Sequence, residues 1–130
     1  MSKNTNRIEA LEKRLYTNYQ DQAKRKALEF NIGLELFSYL INQKCHYCNS
    51  EPANVKKDRF VKNNKEYTDN NIFIFYNGID RIDSNVGYIK TNIVPCCKFC
   101  NAAKLDMSTE DFKKHIKKIH NHYIKDKNSE

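Results

Sequence analysis

The chain has 130 residues, a length typical of one domain with one modest core, so we expect no second catalytic domain. Its 23 Lys and Arg residues against 16 Asp and Glu residues give a formal net charge of +7, which favours a polyanionic partner because neutralised phosphates release counterions. A basic surface that is merely solvated is the alternative. The N-terminus is polar rather than signal-like, and no apolar run is long enough to span a membrane, so we predict a cytoplasmic protein with no membrane partner.

Two helices are predicted before the first cysteine pair. The first is a basic amphipathic helix over residues 7 to 29, whose apolar stripe at helical spacing is Ile8, Leu11, Leu15 and Tyr19. Ala23, Ala27 and Leu28 extend the stripe, whereas the basic residues 24 to 26 should point toward solvent or phosphate. The alternative is a helix that only covers the core. The second helix begins near Gly33, and its apolar positions are Leu34, Phe37, Leu40 and Ile41.

Residues 49 to 71 are polar and rich in lysine, which predicts a loop or a hairpin that projects from the first cysteine pair. The dipeptides at 63–64 and 70–71 are both Asn-Asn and are turn signals. A solvated charged loop and a DNA contact fit this composition equally well. The basic residues concerned are Lys56, Lys57, Arg59, Lys62 and Lys65.

Two short strands are predicted next. Ile72 to Tyr76 is a run of residues with high strand propensity, and a turn or bulge at Asn77-Gly78 separates it from a second strand over residues 79 to 83. Residues 85 to 92 are loop-like, and Gly87 would permit a positive φ there.

Two further helices are predicted after Pro95. The first grows out of the second cysteine pair over residues 101 to 105. Ser108 followed by Asp111 has the form of a capping box and should begin the last helix. One face of that helix consists of Phe112, Ile116, Ile119 and Tyr123.

Four of the five cysteines form two Cys-x-x-Cys pairs, Cys45 with Cys48 and Cys97 with Cys100. In a reducing compartment, paired thiols are typical of metal ligands rather than of disulfides. Four soft thiolates with this spacing can surround Zn²⁺ tetrahedrally. We therefore predict a structural zinc site that ties the start of the domain to its last helices, so that removal of the metal should unfold the domain.

The fifth cysteine, Cys96, is ambiguous because it adjoins Cys97. It could replace Cys97 as a ligand at a different spacing. The regular two-residue spacer favours Cys97, and Cys96 is then a small, buried, apolar side chain.

Two segments resemble the zinc-containing HNH endonucleases that are common in phages and mobile elements. These segments run from Gly78 to Asp83 and from Asn92 to Asn101. Residues 97 to 103 are in particular similar to the helix start of the endonuclease VII-like recombination nucleases. The resemblance covers residues 45 to 106, and it implies DNA as the partner and phosphodiester hydrolysis as the reaction.

The resemblance also implies an α+β fold with a small ββα-metal, treble-clef-like core, in which a β-hairpin and a helix grip one divalent cation, Mg²⁺ or Mn²⁺, beside the scissile phosphate. We predict this core, together with the four-cysteine zinc site, at residues 45–106. A basic helical extension at 1–44 and a C-terminal amphipathic helix and tail at 107–130 would flank it. A homodimer formed through residues 7 to 29 is a compatible extension, because HNH nucleases often need two active sites to cut both strands.

Three polar residues carry over by position from the family's motif. Asp80 at the strand end and Asn101 at the helix start would bind the divalent cation, and Asn92 would organise the loop between them. Oxygen ligands suit a hard cation, which would stabilise charge on the transition state. The alternatives are a turn carboxylate paired with a nearby lysine for Asp80, and a local helix-start hydrogen bond for Asn101. The predicted nucleic-acid contacts are Arg81, Lys56, Lys57, Arg59 and Lys104.

The residue after Asp80 departs from the family's pattern, since Arg81 stands where a general-base histidine is normal. An arginine stays protonated at neutral pH, although its guanidinium can clamp a phosphate. The base would then be His46, Asp83, Tyr88 or hydroxide on the cation. The remaining histidines are assigned to solvent or to the core, and these are His115, His120 and His122.

Two non-catalytic alternatives stay open. The missing histidine favours a zinc-containing DNA-binding module that has lost catalysis, whereas the presence of Asp80 and Asn101 argues for a working nuclease. The amphipathic terminal helices also fit a protein-interaction module within a larger assembly. Salt-sensitive DNA binding without cleavage would distinguish the first alternative from a nuclease.

Overall fold

The chain is mixed helix and sheet, as predicted. In this computed structural model residues 3 to 125 are described, with side chains from residue 5 onward. The helices are α1 (Lys3–Arg25), α2 (Leu34–Ile41), α3 (Lys98–Lys104) and α4 (Thr109–His120). The strands are β1 (Phe30–Asn31), β2 (Asn54–Lys62), β3 (Lys65–Tyr76), β4 (Gly78–Arg81), β5 (Tyr88–Ile89) and β6 (Ile93–Cys96). A 3₁₀ turn (Lys90–Asn92) precedes β6, and a π-helical turn (Asn121–Lys125) extends α4.

Helix α1 ends before the predicted residue 29. It ends at Arg25, because Ala27 has a left-handed φ of 55°. The Leu28 N–H donates to the Ala23 carbonyl at 2.8 Å and the Ala27 N–H to the Lys24 carbonyl at 3.1 Å, which is the Schellman pattern of a helix C-terminus. An alanine seldom adopts this conformation, so the helical signal in the sequence runs past the true end.

The apolar stripe of α1 is buried inside the chain. Leu11, Leu15 and Ala23 are buried, whereas Ile8 is 37% exposed. The core cluster joins residues from both sides of the first cysteine pair, and these are Leu15, Ala23, Ile32, Phe37, Ile41, Ile79, Tyr88 and Ile93. The stripe therefore belongs to the chain's own core, and a homodimer through residues 7 to 29 stays a prediction. The basic residues 24 to 26 are exposed, as predicted.

The polar segment after the first cysteine pair forms a hairpin rather than a loop. Strands β2 and β3 pair antiparallel from end to end, with one register shift partway along β2. Asn63 and Asn64 have φ values of 52° and 63°, which suit the two positive-φ positions of a type I′ turn. Strand β3 therefore begins earlier than predicted. Arg7 of α1 holds the hairpin through ion pairs with Asp58 and with Asp69.

Strand β4 pairs antiparallel with β6 and not with β3. Gly78 lies opposite Cys96, and Arg81 lies opposite Ile93. The second predicted strand ran to residue 83, but the chain leaves the strand after Arg81, because the Asn92 side chain binds the next part of the backbone. The pairing brings the start of β4 beside Cys96, which adjoins the second cysteine pair.

The predicted loop over residues 85 to 92 contains strand β5, which pairs parallel with β1. Gly87 does not have the positive φ that was predicted. Its need for glycine is steric instead, because a Cβ there would lie 2.4 Å from the Glu29 carbonyl oxygen. That oxygen also accepts the Tyr88 N–H at 2.7 Å, which draws the two backbone segments together.

The last two helices lie where the sequence placed them in chain order, but α3 begins at Lys98, inside the second cysteine pair, rather than at the predicted residue 101. The Ser108 Oγ accepts the Asp111 backbone N–H at 3.1 Å, which confirms the predicted N-cap of α4. Phe112 is buried, but the rest of the predicted apolar face is exposed, with Ile116 at 46%, Ile119 at 49% and Tyr123 at 63%. Among residues 3 to 125, no helix is long and apolar enough to cross a membrane.

Candidate metal centre and catalytic cleft

The two cysteine pairs meet at one point of the fold. The Sγ atoms of Cys45, Cys48, Cys97 and Cys100 all lie within 4.8 Å of one another. A tight turn shapes the first pair, since Asn49 has a left-handed φ of 64° and its N–H donates to the Cys45 carbonyl at 2.9 Å. The second pair opens α3, where the Cys97 Sγ accepts the Cys100 N–H at 3.4 Å.

This four-cysteine cluster could hold a metal ion, and its chemistry is consistent with zinc. Tetrahedral Zn–S bonds of about 2.3 Å place sulfur atoms roughly 3.8 Å apart. The Sγ atoms of Cys48 and Cys97 are 3.7 Å apart. Hydrogen bonding by Ser50 lowers the pKa of the Cys48 thiol to about 6, which favours the thiolate form that binds metals.

Cys96 lies outside the sulfur cluster. Its side chain is buried at the end of β6, and its thiol donates to the Cys97 carbonyl at 3.4 Å. Burial raises the pKa of the Cys96 thiol, so this group stays protonated at neutral pH. The structure thus brings Cys97 and not Cys96 to the cluster, in agreement with the regular spacing of the pairs.

A polar cleft of about 390 Å³ is lined by residues of α1, β4 and α3. Strand β4 contributes Asp80 and Arg81, and α3 contributes Asn101. The polar residues that α1 contributes are Asn18, Tyr19 and Gln22, and Lys26 lines the cleft just beyond the end of the helix. The structure therefore brings four of the predicted site residues to one cleft, and their roles there stay predictions. These residues are Lys56, Asp80, Arg81 and Asn101.

Asp80 is buried and is held by two donors from distant parts of the chain. The Tyr47 hydroxyl donates to Oδ2 at 2.8 Å, and the Lys104 Nζ lies 3.1 Å from the same oxygen. None of the hydrogen bonds found among residues 3 to 125 involves Oδ1. Asp80 is therefore paired with a lysine, which is the alternative that the sequence left open, and it keeps one carboxylate oxygen for a further partner.

The Arg81 guanidinium is tied to the loop that follows β4. Its Nη1 donates to the Ser84 carbonyl and, at 3.2 Å, to the Val86 carbonyl. The guanidinium carbon lies 5.5 Å from the centroid of the Tyr88 ring, within the range of a cation–π contact. Within the described chain, Nε and Nη2 are left without a partner, so they remain available to an anion in the cleft.

Asn92 is buried and fixes the loop between β4 and β5. Its Oδ1 accepts the Asp83 N–H at 2.9 Å. Its Nδ2 donates to the carbonyls of Asp83 and Val86 at 3.1 Å each and of Gly87 at 2.9 Å. These are the contacts of a residue that organises a loop. Asn101, in contrast, is exposed on α3 and lines the cleft directly.

The predicted nucleic-acid contacts on the hairpin lie in different environments. Lys56 is half-buried and lines the cleft, and burial lowers the pKa of its ammonium group. Lys57 is exposed. Arg59 is exposed as well, and its Nη1 lies 3.9 Å from the Glu66 carboxylate. Of these three residues, Lys56 is the one placed beside Asp80 and Arg81.

The prediction that Lys104 contacts nucleic acid is wrong. Its side chain is 1% exposed. The ammonium group lies 3.1 Å from Asp80 Oδ2 and donates to the Arg81 carbonyl oxygen at 3.1 Å. A buried ammonium with these partners cannot reach a phosphate, so Lys104 belongs to the interior of the site.

Of the candidate general bases, Tyr88 is the one that lines the cleft. His46 is exposed, and its ring centroid lies 5.1 Å from that of Tyr47. Asp83 is exposed, and its Oδ1 accepts the Asn85 N–H at 2.9 Å. In the part of the chain that the structure describes, no histidine lines the cleft. The exposed histidines of α4 and its extension are His115, His120 and His122.

Sequence reasoning missed several residues that reach the site from distant segments. The hydroxyl groups of Tyr47 and Thr109 lie 2.7 Å apart, next to Asp80. Burial raises the pKa of Tyr47, so its hydroxyl group stays a donor. Burial also raises the pKa of Tyr19 to about 12, and its hydroxyl accepts the Ile79 N–H at 3.2 Å. The position of Tyr47 between two predicted metal ligands was the one available signal.

Two viral proteins are similar in sequence to this chain. The uncharacterized protein R423 of Acanthamoeba polyphaga mimivirus is 33% identical over 97 residues, which cover 75% of this chain and 14% of that protein. The uncharacterized 29.0 kDa protein in the dda-modA intergenic region of Enterobacteria phage T4 is 27% identical over 111 residues, which cover 85% of this chain and 38% of that protein. The chain therefore spans less than half the length of either relative. No family model matches the sequence.

Among solved structures, the rare-cutting HNH restriction endonuclease PacI is similar to this chain. The TM-score is 0.57, and the match covers 86% of this chain and 78% of that chain at 18% sequence identity. This chain therefore shares its fold with that HNH endonuclease. Within this fold the present chain has a four-cysteine cluster able to hold a metal ion and a separate polar cleft that contains Asp80, Arg81 and Asn101.

Proposed function

We propose that the protein is a metal-dependent DNA endonuclease of the HNH type, which hydrolyses phosphodiester bonds and contains a structural Zn²⁺ site. The observation that carries this proposal is the cleft, where Asp80, Arg81 and Asn101 meet within an HNH fold. Residues 45–106 would be the catalytic core, flanked by residues 1–44 and 107–130. The formal net charge of +7 supports DNA as the partner.

Asp80 and Asn101 fit a divalent cation such as Mg²⁺ or Mn²⁺. Both side chains offer oxygen atoms, which hard cations prefer, and the contacts of Asp80 with Tyr47 and Lys104 occupy Oδ2 alone. A cation bound there would acidify the attacking water and offset negative charge on the phosphate and the departing 3′ oxygen. Two protein ligands leave room for water and for phosphate oxygens.

Arg81 and the lysines of the cleft would hold the phosphate. The Nη1 of Arg81 is fixed by the carbonyls of the following loop, so Nε and Nη2 present a preset pair of donors. Lys26, which follows the end of α1, and Lys56 of β2 line the same cleft. Contacts of this kind bind the DNA backbone and carry no sequence information of their own.

The residues that line the cleft also determine how the rate of DNA cleavage should depend on pH. No histidine of the described chain lines the cleft, and the pKa of Tyr19 is raised to about 12 by burial, so that hydroxyl is protonated at neutral pH. Tyr19 can therefore donate a hydrogen bond, but it is a poor acceptor of a proton from water. We expect the cleavage rate to lack the inflection near pH 6.5 that a histidine base produces.

The test is metal-dependent nicking of supercoiled plasmid by zinc-loaded protein in Mg²⁺, Mn²⁺ or EDTA. We expect nicking in either metal, none in EDTA, and loss of nicking in Asp80→Asn and in Asn101→Ala. The matched control variants are Asp106→Asn and Asn85→Ala, which alter exposed side chains outside the cleft. Retained nicking in both cleft variants would refute the assignment of the site.

A second function is favoured by the contacts of Arg81, which stands where the family's histidine is normal. Its partners Ser84, Val86 and Tyr88 are those of a residue that fastens a loop. In a zinc-containing DNA-binding module without catalysis, Arg81 would need only to fasten this loop and would have no part in a reaction. Such a module would bind duplex DNA with strong salt dependence, and it would nick no plasmid in any divalent metal.

A further inference from the structure

A hydrogen bond from Tyr47 connects Asp80 to the turn between Cys45 and Cys48. Tyr47 is a spacer residue between Cys45 and Cys48, and its hydroxyl donates to Asp80 Oδ2 at 2.8 Å. A phenol has one hydrogen to donate, so the Thr109 hydroxyl, 2.7 Å away, is the donor to the Tyr47 oxygen. The three side chains therefore form a directed relay from Thr109 through Tyr47 to Asp80.

Two members of this relay, Tyr47 and Thr109, are held by further contacts. The Tyr47 ring packs edge-on against Phe112 of α4, with the ring centroids 5.4 Å apart. The Thr109 N–H donates to the Ile82 carbonyl at 2.8 Å, which joins the start of α4 to the chain just beyond Arg81. Neither the phenol nor the hydroxyl can move far without loss of one of these contacts.

The relay leaves the two oxygens of Asp80 unequal. Tyr47 and the buried Lys104 both bind Oδ2, and Oδ1 has no hydrogen-bond partner among the described residues. Tyr47 is not among the residues that line the cleft, whereas Asp80 is. A carboxylate fixed in this way has lost its side-chain freedom before any ligand arrives, which lowers the entropic cost of binding.

We propose that Tyr47 is a positioning residue, which fixes the Asp80 carboxylate through Oδ2 and thereby offers Oδ1 to a divalent cation in the cleft. The inference rests on the proposed nuclease function and adds to it a link between the two metal centres. The four-cysteine cluster holds the turn that carries Tyr47, and that turn orients the carboxylate for the second metal.

The decisive variant is Tyr47→Phe, which keeps the ring packed against Phe112 and removes only the hydroxyl. We expect its affinity for Mn²⁺, measured from the electron paramagnetic resonance signal of free Mn²⁺, to fall about 10- to 100-fold, as when an outer partner of a metal ligand is lost. Plasmid nicking should need correspondingly more Mn²⁺ for half-maximal rate and should recover at saturating Mn²⁺. The zinc content of the protein should be unchanged.

The matched control is Tyr39→Phe, because Tyr39 is 61% exposed on α2. A second variant, Thr109→Val, should weaken Mn²⁺ binding less than Tyr47→Phe does. Thr109→Ser keeps the hydroxyl group and should bind Mn²⁺ as tightly as the wild type. Equal Mn²⁺ affinity in Tyr47→Phe and Tyr39→Phe would overturn the inference while wild-type nicking still supports the nuclease. Loss of zinc from Tyr47→Phe would also overturn it. Wild-type protein that neither binds Mn²⁺ nor nicks DNA would overturn both proposals.

Discussion

Replacing Lys104 by Met should destabilise the protein strongly, because it leaves the Asp80 carboxylate buried without its ammonium partner. The Nζ of Lys104 lies 3.1 Å from Asp80 Oδ2, with the two side chains 1% and 9% exposed. At this separation, and with an effective dielectric constant of about 20, the attraction of two unit charges is about 5 kcal/mol. Removal of one partner of a buried pair costs about 3–5 kcal/mol.

The same substitution at Lys114 is the matched control. Lys114 pairs with Glu110 on α4 at 3.5 Å, but the two side chains are 71% and 80% exposed. An exposed helical pair of this kind contributes at most about 0.5 kcal/mol. The double variant Asp80→Asn with Lys104→Met has no unpaired charge, so it should be more stable than Lys104→Met alone.

Urea unfolding followed by circular dichroism, at a fixed concentration of free zinc, gives the free energy of unfolding for each variant. We expect Lys104→Met to lose several kcal/mol and Lys114→Met almost nothing. A loss below about 1 kcal/mol for Lys104→Met, equal to that of Lys114→Met, would refute the claim that the ammonium compensates a buried carboxylate.

Three further outcomes follow from the site and its surroundings. Cys97→Ala should abolish zinc binding and unfold the domain, whereas Cys96→Ala should keep the wild-type zinc content, as measured by atomic absorption. Gly87→Ala should lower the free energy of unfolding by about 1–3 kcal/mol, because a Cβ at this position would lie 2.4 Å from a backbone carbonyl oxygen. Gly33→Ala should lower it less, because a Cβ at Gly33 would face open space. Burial raises the pKa of Tyr19 to about 12, so its contribution to stability is complete below about pH 10 and should decline from pH 10 to 12. The stability difference between wild type and Tyr19→Phe should shrink over that range.

Local signals in the sequence were sufficient for several elements. The spacing of the cysteine pairs identified the four side chains whose sulfur atoms lie together, and it favoured Cys97 over Cys96. Helical periodicity placed α2 at residues 34 to 41, and the Ser108 cap placed the start of α4. Each of these signals depends on residues a few positions apart, which is the range over which sequence patterns carry structural information.

Other features were missed because no local pattern of residues indicates them, and most depend on residues far apart in the sequence. Lysine is a residue type that often contacts phosphate, but the ammonium group of Lys104 on α3 points inward to Asp80. Tyr19 reaches the cleft from α1, a segment predicted to flank the core. The end of α1 was missed because Ala27 adopts a backbone conformation that its residue type disfavours.

The most direct test of the central claim is the nicking of supercoiled plasmid by zinc-loaded protein in Mn²⁺, with Asp80→Asn and Asp106→Asn measured beside the wild type. The account predicts nicking by the wild type and by Asp106→Asn, and none by Asp80→Asn with its zinc content intact. Nicking by Asp80→Asn at the wild-type rate would contradict the account. So would a result in which all three proteins bind DNA and none of them nicks it.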